Sequence, residues 1–594
     1  MLKVYKSSAG AGKTFTLAGN YIDLLFSHAT NNGYKRILAV TFTKKATAEM
    51  KGRIVRELAL LSRGQKSNYA EALKEKHHLT DQQLQLRAQL ILIALLQDYS
   101  NFFVTTIDSF FQQILRSFAR ELNLPGAYNL ELDSKYVVQK AVDDYFFNLP
   151  GDIKSRTVSM LLQLIREKMD DDKSADLRTT ILGLGSQLLN EAYQLNAALL
   201  QDALQQPDAL SKYSSKLKNI QKTYLQQYRQ LEKQMQVALL GADESIFQRG
   251  VLSPFHFGRE QIIKAIVGEQ SIANFLKFVS DPLKMLGSQY KKDPAAQAAA
   301  LRIHLLAKQL LALLDGQSDY VQNFVTASAI LKNLPYLDVL KDLQYYIAKA
   351  NDELNRLPIA ETNSLLYDVV SQQEDSPFIY DKIGTRISNY MIDEFQDTSN
   401  MQWRNFRPLI AESLAGQPNG ENMLVGDIKQ SIYRWRNSDY TTLQYGVKHD
   451  FPGVEDKDLV TNWRSDRQII DSNNHIFALL SSKAQEVYNH RTGLKSSEIT
   501  DIYSSVVQEK HEEELGYVRI QFLPDEERKE QTLLQLPQIV SDIQQRGVKL
   551  GSVAILIRNN SQAKPIADCL LEAGIKVMSN EALLLNQSLE VSLL

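Results

Sequence analysis

The sequence predicts an α/β protein whose sheet begins, is interrupted by a long all-α stretch, and then resumes. Three observations carry this. Leu2–Tyr5 and Ile37–Phe42 are short apolar runs bounded by turn-like residues, and helical periodicity follows each. That is the rhythm of strands buried in a parallel sheet. Residues from about 121 to 375 are rich in Leu, Ala, Gln, Lys and Glu with little Gly, and show apolar spacing of i, i+3/i+4. The strand-like texture then returns at Asn389–Ile392 and Met423–Val425, each with an acidic residue just beyond its end.

Within the helical stretch, Tyr136–Phe147, Val158–Met169 and Ser215–Leu240 carry the helical spacing. The segment Gln226–Gln236 is polar apart from a stripe of Tyr228, Leu231 and Met235, and reads as a projecting helix resting on one edge. The charge run Lys168–Lys173 reads as a solvated loop. Residues 446–594 form a further α/β block with a strand at Val553–Ile557 and a helix at Ala563–Ala573.

Composition bounds the function. A chain of 594 residues is too long for one ordinary core. Gly (27) and Pro (15) fall well below a combined average usage of roughly 12%, which favours long uninterrupted helices. Lys+Arg (67) and Asp+Glu (69) leave a net charge of −2, excluding a strongly basic whole-chain nucleic-acid binder but not a local basic groove. The single cysteine, Cys569, excludes an internal disulfide framework and a Cys-based zinc cluster, and reads as a small buried apolar residue. The first residues contain no apolar signal-type stretch, and no run reaches the roughly 18 apolar residues of a membrane span. The expectation is a cytoplasmic protein with no membrane partner.

The first strand leads into Ser7-Ser8-Ala9-Gly10-Ala11-Gly12-Lys13-Thr14, a Walker-A loop with Ser7 at the leading Gly position. Small residues let backbone N–H groups wrap phosphate oxygens. Lys13 can reach the β- and γ-phosphates, Thr14 can offer a hydroxyl to Mg²⁺, and the following helix aims its N-terminal dipole at the same charge. Ser8, Ala9, Gly10, Ala11 and Gly12 complete the cradle. The strand ending in Asp393-Glu394 has a Walker-B pattern, with Asp393 for the Mg²⁺ shell and Glu394 as base for the attacking water. ATP and Mg²⁺ are the expected cofactors.

Further blocks follow the loop in order: AVTFTKKATAEMKGRI (39–54), TTIDSFFQQIL (105–115), DEFQDTSNMQW (393–403), VGDIKQSIYRWR (425–436) and TNWRS (461–465). Together they resemble superfamily 1 DNA helicases of the UvrD/Rep class. The loop context VYKSSAGAGKTFTLAGNYIDLLF (4–26) looks closest to the RecB/AddA helicase-nuclease branch. The resemblance implies a RecA-like motor domain from 1–120 plus 376–445, a helical 1B-like insert over 121–375, and a second, truncated RecA-like domain over 446–594. It implies ATP-driven, 3′→5′ movement on single-stranded DNA in recombinational repair. The further partners it implies are duplex DNA and an AddB/RecC-like subunit. Gln430 would sense the γ-phosphate and Arg464 would contact it. Trp463 takes the adenine-stacking position; Phe15 either faces it across the base or packs inward.

On the nucleic-acid side, base-tolerant binding needs flat π-faces and a basic track. Tyr433, Arg434, Trp435 and Arg436 interleave the two, and Thr41, Phe42, Thr43, Lys44 and Lys45 supply another segment. Thr106 and Ser109 are further candidates. Asp108 stands where relatives often carry His, and either contacts DNA or caps a helix opening at Ser109. Trp403 is expected to pack in a core. The family's later YVALTRA-like motif and nuclease segment do not appear, and the apolar run Ser588–Leu594 ends without a polar tail. The expectation is the front part of a longer protein, whose alternative role is to bind nucleotide and DNA without turnover.

Overall fold

The computed structural model describes residues 1–119, 129–131, 134–152, 158, 161–162, 165, 176–197, 199–200, 209–239, 242–268, 272–334, 336–354, 356–358, 362–367, 386–416, 420–511 and 516–579. The expected loop Lys168–Lys173, most of Val158–Met169 and the terminal run Ser588–Leu594 lie outside them.

The first strands form where they are expected: β1 (Leu2–Ser7), β2 (Ile37–Thr41) and β3 (Val104–Thr106). Helices α1 (Lys13–Ser27), α2 (Lys44–Ser62), α3 (Ala70–His77), α4 (Asp81–Gln97) and α5 (Ile107–Ser117) connect and follow them. A short parallel pair, β4 (Asn129–Glu131) and β5 (Arg356–Pro358), precedes β6 (Asn389–Ile392), β7 (Asn422–Gly426) and β8 (Glu455–Leu459). The sheet order is β3-β2-β6-β7-β1-β8, and every pairing is parallel.

Side-chain alternation explains why both faces are covered. Leu2, Val4, Leu38, Val40, Tyr390, Ile392 and Leu424 enter one core with α5 and the helix Asn400–Gly416. Tyr5, Ile37, Ala39, Met391, Met423 and Val425 point the other way, into a core with α1, α2 and α4. A strand apolar on both faces is stable only between two helical layers.

Between β3 and β6 the regular elements among the described residues are helices, apart from β4 and β5. They build two further cores: one joins α6 (Ser134–Phe147) to Leu177–Leu188 and Tyr336–Leu354. The other surrounds the 31-residue helix Ala209–Leu239. There Tyr228, Leu231 and Met235 form the buried stripe against Pro294–Leu313 and neighbouring segments.

Two differences concern the C-terminal third. β8 lies beyond residue 446, where the sequence reading starts a second motor unit, yet it pairs with β1. Its sequence, Glu455-Asp456-Lys457-Asp458-Leu459, carries little apolar signal. It forms because the open edge of β1 supplies backbone partners. The chain separates into one compact unit of Met1–Arg464 with Ser481–Glu509, and another of Ser465–Leu480 with Lys510–Leu594. In the second unit Val553–Ile557 makes no strand, and Leu556 is almost fully exposed. An apolar run becomes a strand only when a neighbour takes up its N–H and C=O groups. The expected helix is present as Ala563–Glu572 and packs on Arg528–Gln545. Cys569 there is half-buried, and its Sγ reaches the Leu533 carbonyl. Among the described residues no helix is long and apolar enough to cross a membrane.

Candidate nucleotide and nucleic-acid site

The parallel sheet gathers the carboxyl ends of β1, β2, β6 and β7 along one edge, where open α/β sheets bind ligands. β1 delivers the phosphate loop. Gly10 (φ 77°) and Gly12 (φ 84°) take left-handed conformations, which glycine adopts without a Cβ penalty. The Ala11 N–H donates to the Ser8 carbonyl at 3.3 Å, closing the loop, and Thr16 N–H donates to Gly12 O as α1 begins. No side chain caps α1, so its first N–H groups remain available to an anion. Lys13 and Thr14 open this helix. Ser7 is buried, and its Oγ has no hydrogen-bond partner.

β6 brings Asp393 and Glu394 to the same place. Lys13 Nζ and Glu394 Oε2 are 2.9 Å apart across 381 residues of chain. Glu394 has φ 50°, a left-handed conformation rare for a residue with a side chain. Such strain persists only where surroundings enforce it, and it clusters at functional sites. Asp393 is 6% exposed, and its Oδ1 accepts the Glu394 N–H at 3.0 Å. Burial, then the Glu394 charge, pushes the Asp393 carboxyl up to about 7, with Lys13 opposing. Asp397 is pushed up to about 6 by the same causes.

Between about pH 4 and 7 the native Asp393 therefore retains a proton that the unfolded chain has lost. Stability falls as pH rises through this window, by about 1.4 kcal/mol per unit for one full proton. We expect denaturant titrations to show this slope in the wild type and a flatter one in Asp393→Asn. An unchanged slope would count against the buried acid.

Two residues that received no role from sequence tie the acids to the next segment. Gln396 Nε2 donates to Glu394 Oε2 at 2.8 Å, while its Oε1 accepts the Asp427 N–H at 2.9 Å. Asp427 in turn pairs with Lys429 and accepts from Gln430 Nε2 at 2.6 Å. Gln430 thus sits one carboxylate away from the Glu394 network. Amide side chains carry no spacing signature, so Gln396 was visible only as part of a motif block.

The segment after β8 lies over the loop. Trp463 N–H donates to Gly10 O at 2.9 Å, and a Cβ on Gly12 would lie 3.7 Å from the Trp463 ring. A Cβ on Gly10 would meet Asn462 Oδ1 at 2.6 Å and the Arg464 Cβ at 3.1 Å. Trp463 is 58% exposed. Arg464 is also exposed. Phe15 faces outward, with its ring 4.7 Å from Tyr69. Ser8 and Ala9 complete the loop, and the Ala9 carbonyl accepts from Asn462 and Gln508.

A second feature lies at the ends of β2 and β7. Phe42 packs against Tyr433 with ring centroids 4.6 Å apart, and Tyr433 lies 6.1 Å from Trp435. Trp435 is 72% exposed, so the three rings form a track that opens to solvent. Arg434 is exposed, and the backbone of Arg436 closes the same short turn; the Arg436 side chain lies outside the described residues.

The hydroxyl candidates are placed differently. Thr41 is 1% exposed, and its Oγ1 is shared with Thr43 O and Thr47 Oγ1, so it is a buried structural group rather than a nucleic-acid contact. Thr43, though exposed, caps α2 by accepting from Ala46 N–H. Thr106 caps α5 by accepting from Ser109 N–H, and the two hydroxyls bond each other at 2.8 Å. Helix caps draw Ser and Thr oxygens to unpaired N–H groups. This corrects the reading of Asp108 as the cap: it lies in the first turn and accepts from Gln402 Nε2 at 3.2 Å. Gln402 and Ser399 cap each other, and Ser399 Oγ donates to the buried Glu191 from the helical stretch at 2.6 Å. Trp403 is buried as expected, with its edge against Phe395 and its Nε1 donating to Asp450.

The profile of the UvrD/REP helicase N-terminal domain matches residues 3–452, which include the phosphate loop, the acidic pair and the aromatic track. The chain belongs to the UvrD/REP helicase family. It is similar to an ATP-dependent helicase/nuclease subunit of Clostridium beijerinckii, 22% identical over 98% of this chain and 49% of that protein. It is also similar to RecBCD enzyme subunit RecB of Escherichia coli K12, 25% identical over 80% of this chain and 38% of that protein. DNA helicase II of the same organism is 29% identical over 34% of this chain and 24% of that protein. The chain thus spans less than half the length of these UvrD/REP relatives.

Among the described residues no group of three or more His, Cys, Asp and Glu side chains could hold a metal by itself. Mg²⁺ usually takes one or two protein oxygens and fills the rest with phosphate and water. The buried Asp393, beside Glu394 and Lys13, has carboxyl oxygens that fit one such place.

Proposed function

We propose that this chain is the nucleotide-gripping part of an ATP-dependent DNA helicase that moves 3′→5′ along single-stranded DNA in recombinational repair. On this reading residues 1–120 and 376–445 are the first motor domain, 121–375 an inserted 1B-like helical domain, and 446–594 part of a second motor domain. The observation that carries it is the 2.9 Å Lys13–Glu394 pair, which joins the phosphate loop to the acid-ended strand.

The pair is also the chemical starting point. The β- and γ-phosphates of ATP compete with Glu394 for the Lys13 ammonium. Once displaced, Glu394 is free to take a proton from the attacking water. Thr14 and Asp393 would hold Mg²⁺, which supplies positive charge to the phosphate oxygens when bound. Arg464 adds charge at the γ-phosphate, and Trp463 with Phe15 grips the base. Release of Glu394 changes the partner of Gln396, and Gln396 passes that change to Asp427 and Gln430. Five residues on from Gln430 is Trp435, on the ring track where DNA bases stack.

The substrates are single-stranded and duplex DNA in the cytoplasm, and the partner is an AddB/RecC-like subunit. The test is ATP hydrolysis with and without single-stranded DNA. DNA should stimulate turnover, and Trp435→Ala should remove both the stimulation and roughly 1–3 kcal/mol of DNA binding, the scale of one lost base stack. Hydrolysis indifferent to DNA would sink the proposal. Binding of ATP and DNA without turnover would give this chain the binding role alone.

A further inference from the structure

Gln508 lies outside every motif block, itself half-buried on a mostly exposed segment more than 40 residues beyond Trp463. Its Nε2 donates to the Ala9 carbonyl at 2.9 Å. The same carbonyl accepts from Asn462 Nδ2 at 3.2 Å, and Asn462 Nδ2 also reaches Gln508 Oε1 at 3.0 Å. Asn462 Oδ1 accepts the Arg464 N–H at 2.9 Å. The amide orientations are forced. A flipped Gln508 would set Nε2 against the Asn462 NH₂ group and Oε1 against the Ala9 oxygen.

We propose that Gln508 is a positioning residue for the phosphate loop: by holding the Ala9 carbonyl, it aims the Gly10 N–H at the nucleotide's phosphates. Peptide geometry links the two groups. In a planar trans peptide the C=O and the following N–H point in opposite directions. Fixing Ala9 O outward, toward Asn462 and Gln508, therefore fixes Gly10 N–H to the opposite side. The Trp463 N–H does the same one residue on, through Gly10 O. Gly10, with φ 77° and no side chain, has little to hold its peptide plane otherwise. Two amides on one oxygen thus preorganise a loop that would otherwise lose backbone entropy on binding phosphate.

The inference rests on the nucleotide-binding reading above. It is tested on the whole chain by titrating fluorescently labelled ADP, with oligo-dT binding and the melting temperature as controls. Gln508→Ala should weaken ADP binding about three- to tenfold, the scale of one lost hydrogen bond. Gln508→Glu keeps the size but turns an oxygen toward Ala9 O, and should weaken it more. Both should leave DNA affinity and melting temperature unchanged, which a general loss of structure would not. ADP binding by the wild type with equal affinity in both variants would overturn the clamp and leave the nucleotide site standing. A wild type that binds no ADP would overturn the nucleotide reading and the clamp with it.

Discussion

Glu394→Gln is expected to lower ATP turnover by about 10²–10⁴-fold, the range for loss of a general base, while nucleotide stays bound at least as tightly. The glutamine oxygen can still accept from Gln396, so the local network keeps its shape. What disappears is the carboxylate that competes with phosphate for Lys13 at 2.9 Å. That pair is partly exposed, so its removal should improve binding only modestly, by less than about 1 kcal/mol. Single-turnover hydrolysis and a labelled-nucleotide titration separate the two effects. A variant turning over within tenfold of wild type would remove Glu394 from the chemistry.

Lys13→Ala should act in the opposite sense. Charge-assisted hydrogen bonds are each worth about 1.5–3 kcal/mol, so nucleotide affinity should fall roughly 10- to 150-fold and turnover should fall with it. A second effect follows from the neighbours. Asp393 and Asp397 already sit high, at about 7 and about 6, with Lys13 as the opposing cation. Without it three carboxylates face one another, and the pH-dependent loss of stability should steepen between pH 5 and 7. Thermal melts with and without ATP read both effects: the wild type should gain stability from ATP, and the variant little. An unchanged ATP-induced shift in Lys13→Ala would rule out the phosphate contact.

Much of the sheet was legible because its strands are short apolar runs, two of which, β6 and β7, lead directly into an acid. β1, β2, β6 and β7 begin within a residue of where the periodicity puts them, and end within two. β8 was not legible, because a charged edge strand is made by its neighbour rather than by its own side chains. Conversely, Val553–Ile557 has a strand's composition but no partner in the described residues. The phosphate loop, the acidic pair and the aromatic track are local patterns and could be read directly. The hydroxyls could not: Thr41, Thr106 and Ser109 lie in motif blocks, yet the Thr41 and Thr106 oxygens serve the backbone and the Ser109 hydroxyl bonds that of Thr106. Gln396 and Gln508 act through partners 31 and 499 residues away, a relation that no spacing rule reveals.

The strand order also sets a timetable for synthesis. β1 is made long before both of its neighbours, β7 and β8; Leu2 waits for Asn422. At 5–20 residues per second, roughly 420 residues take on the order of 20–80 s. Throughout that interval the nascent chain carries an apolar strand with two open edges, the kind of template that recruits foreign strands. Lys3 and Lys6 punctuate it with charge. Once the sheet closes they meet Glu421 and Asp456, each at 2.8 Å. The lysines that keep the strand solitary on the ribosome thus become part of its final seam.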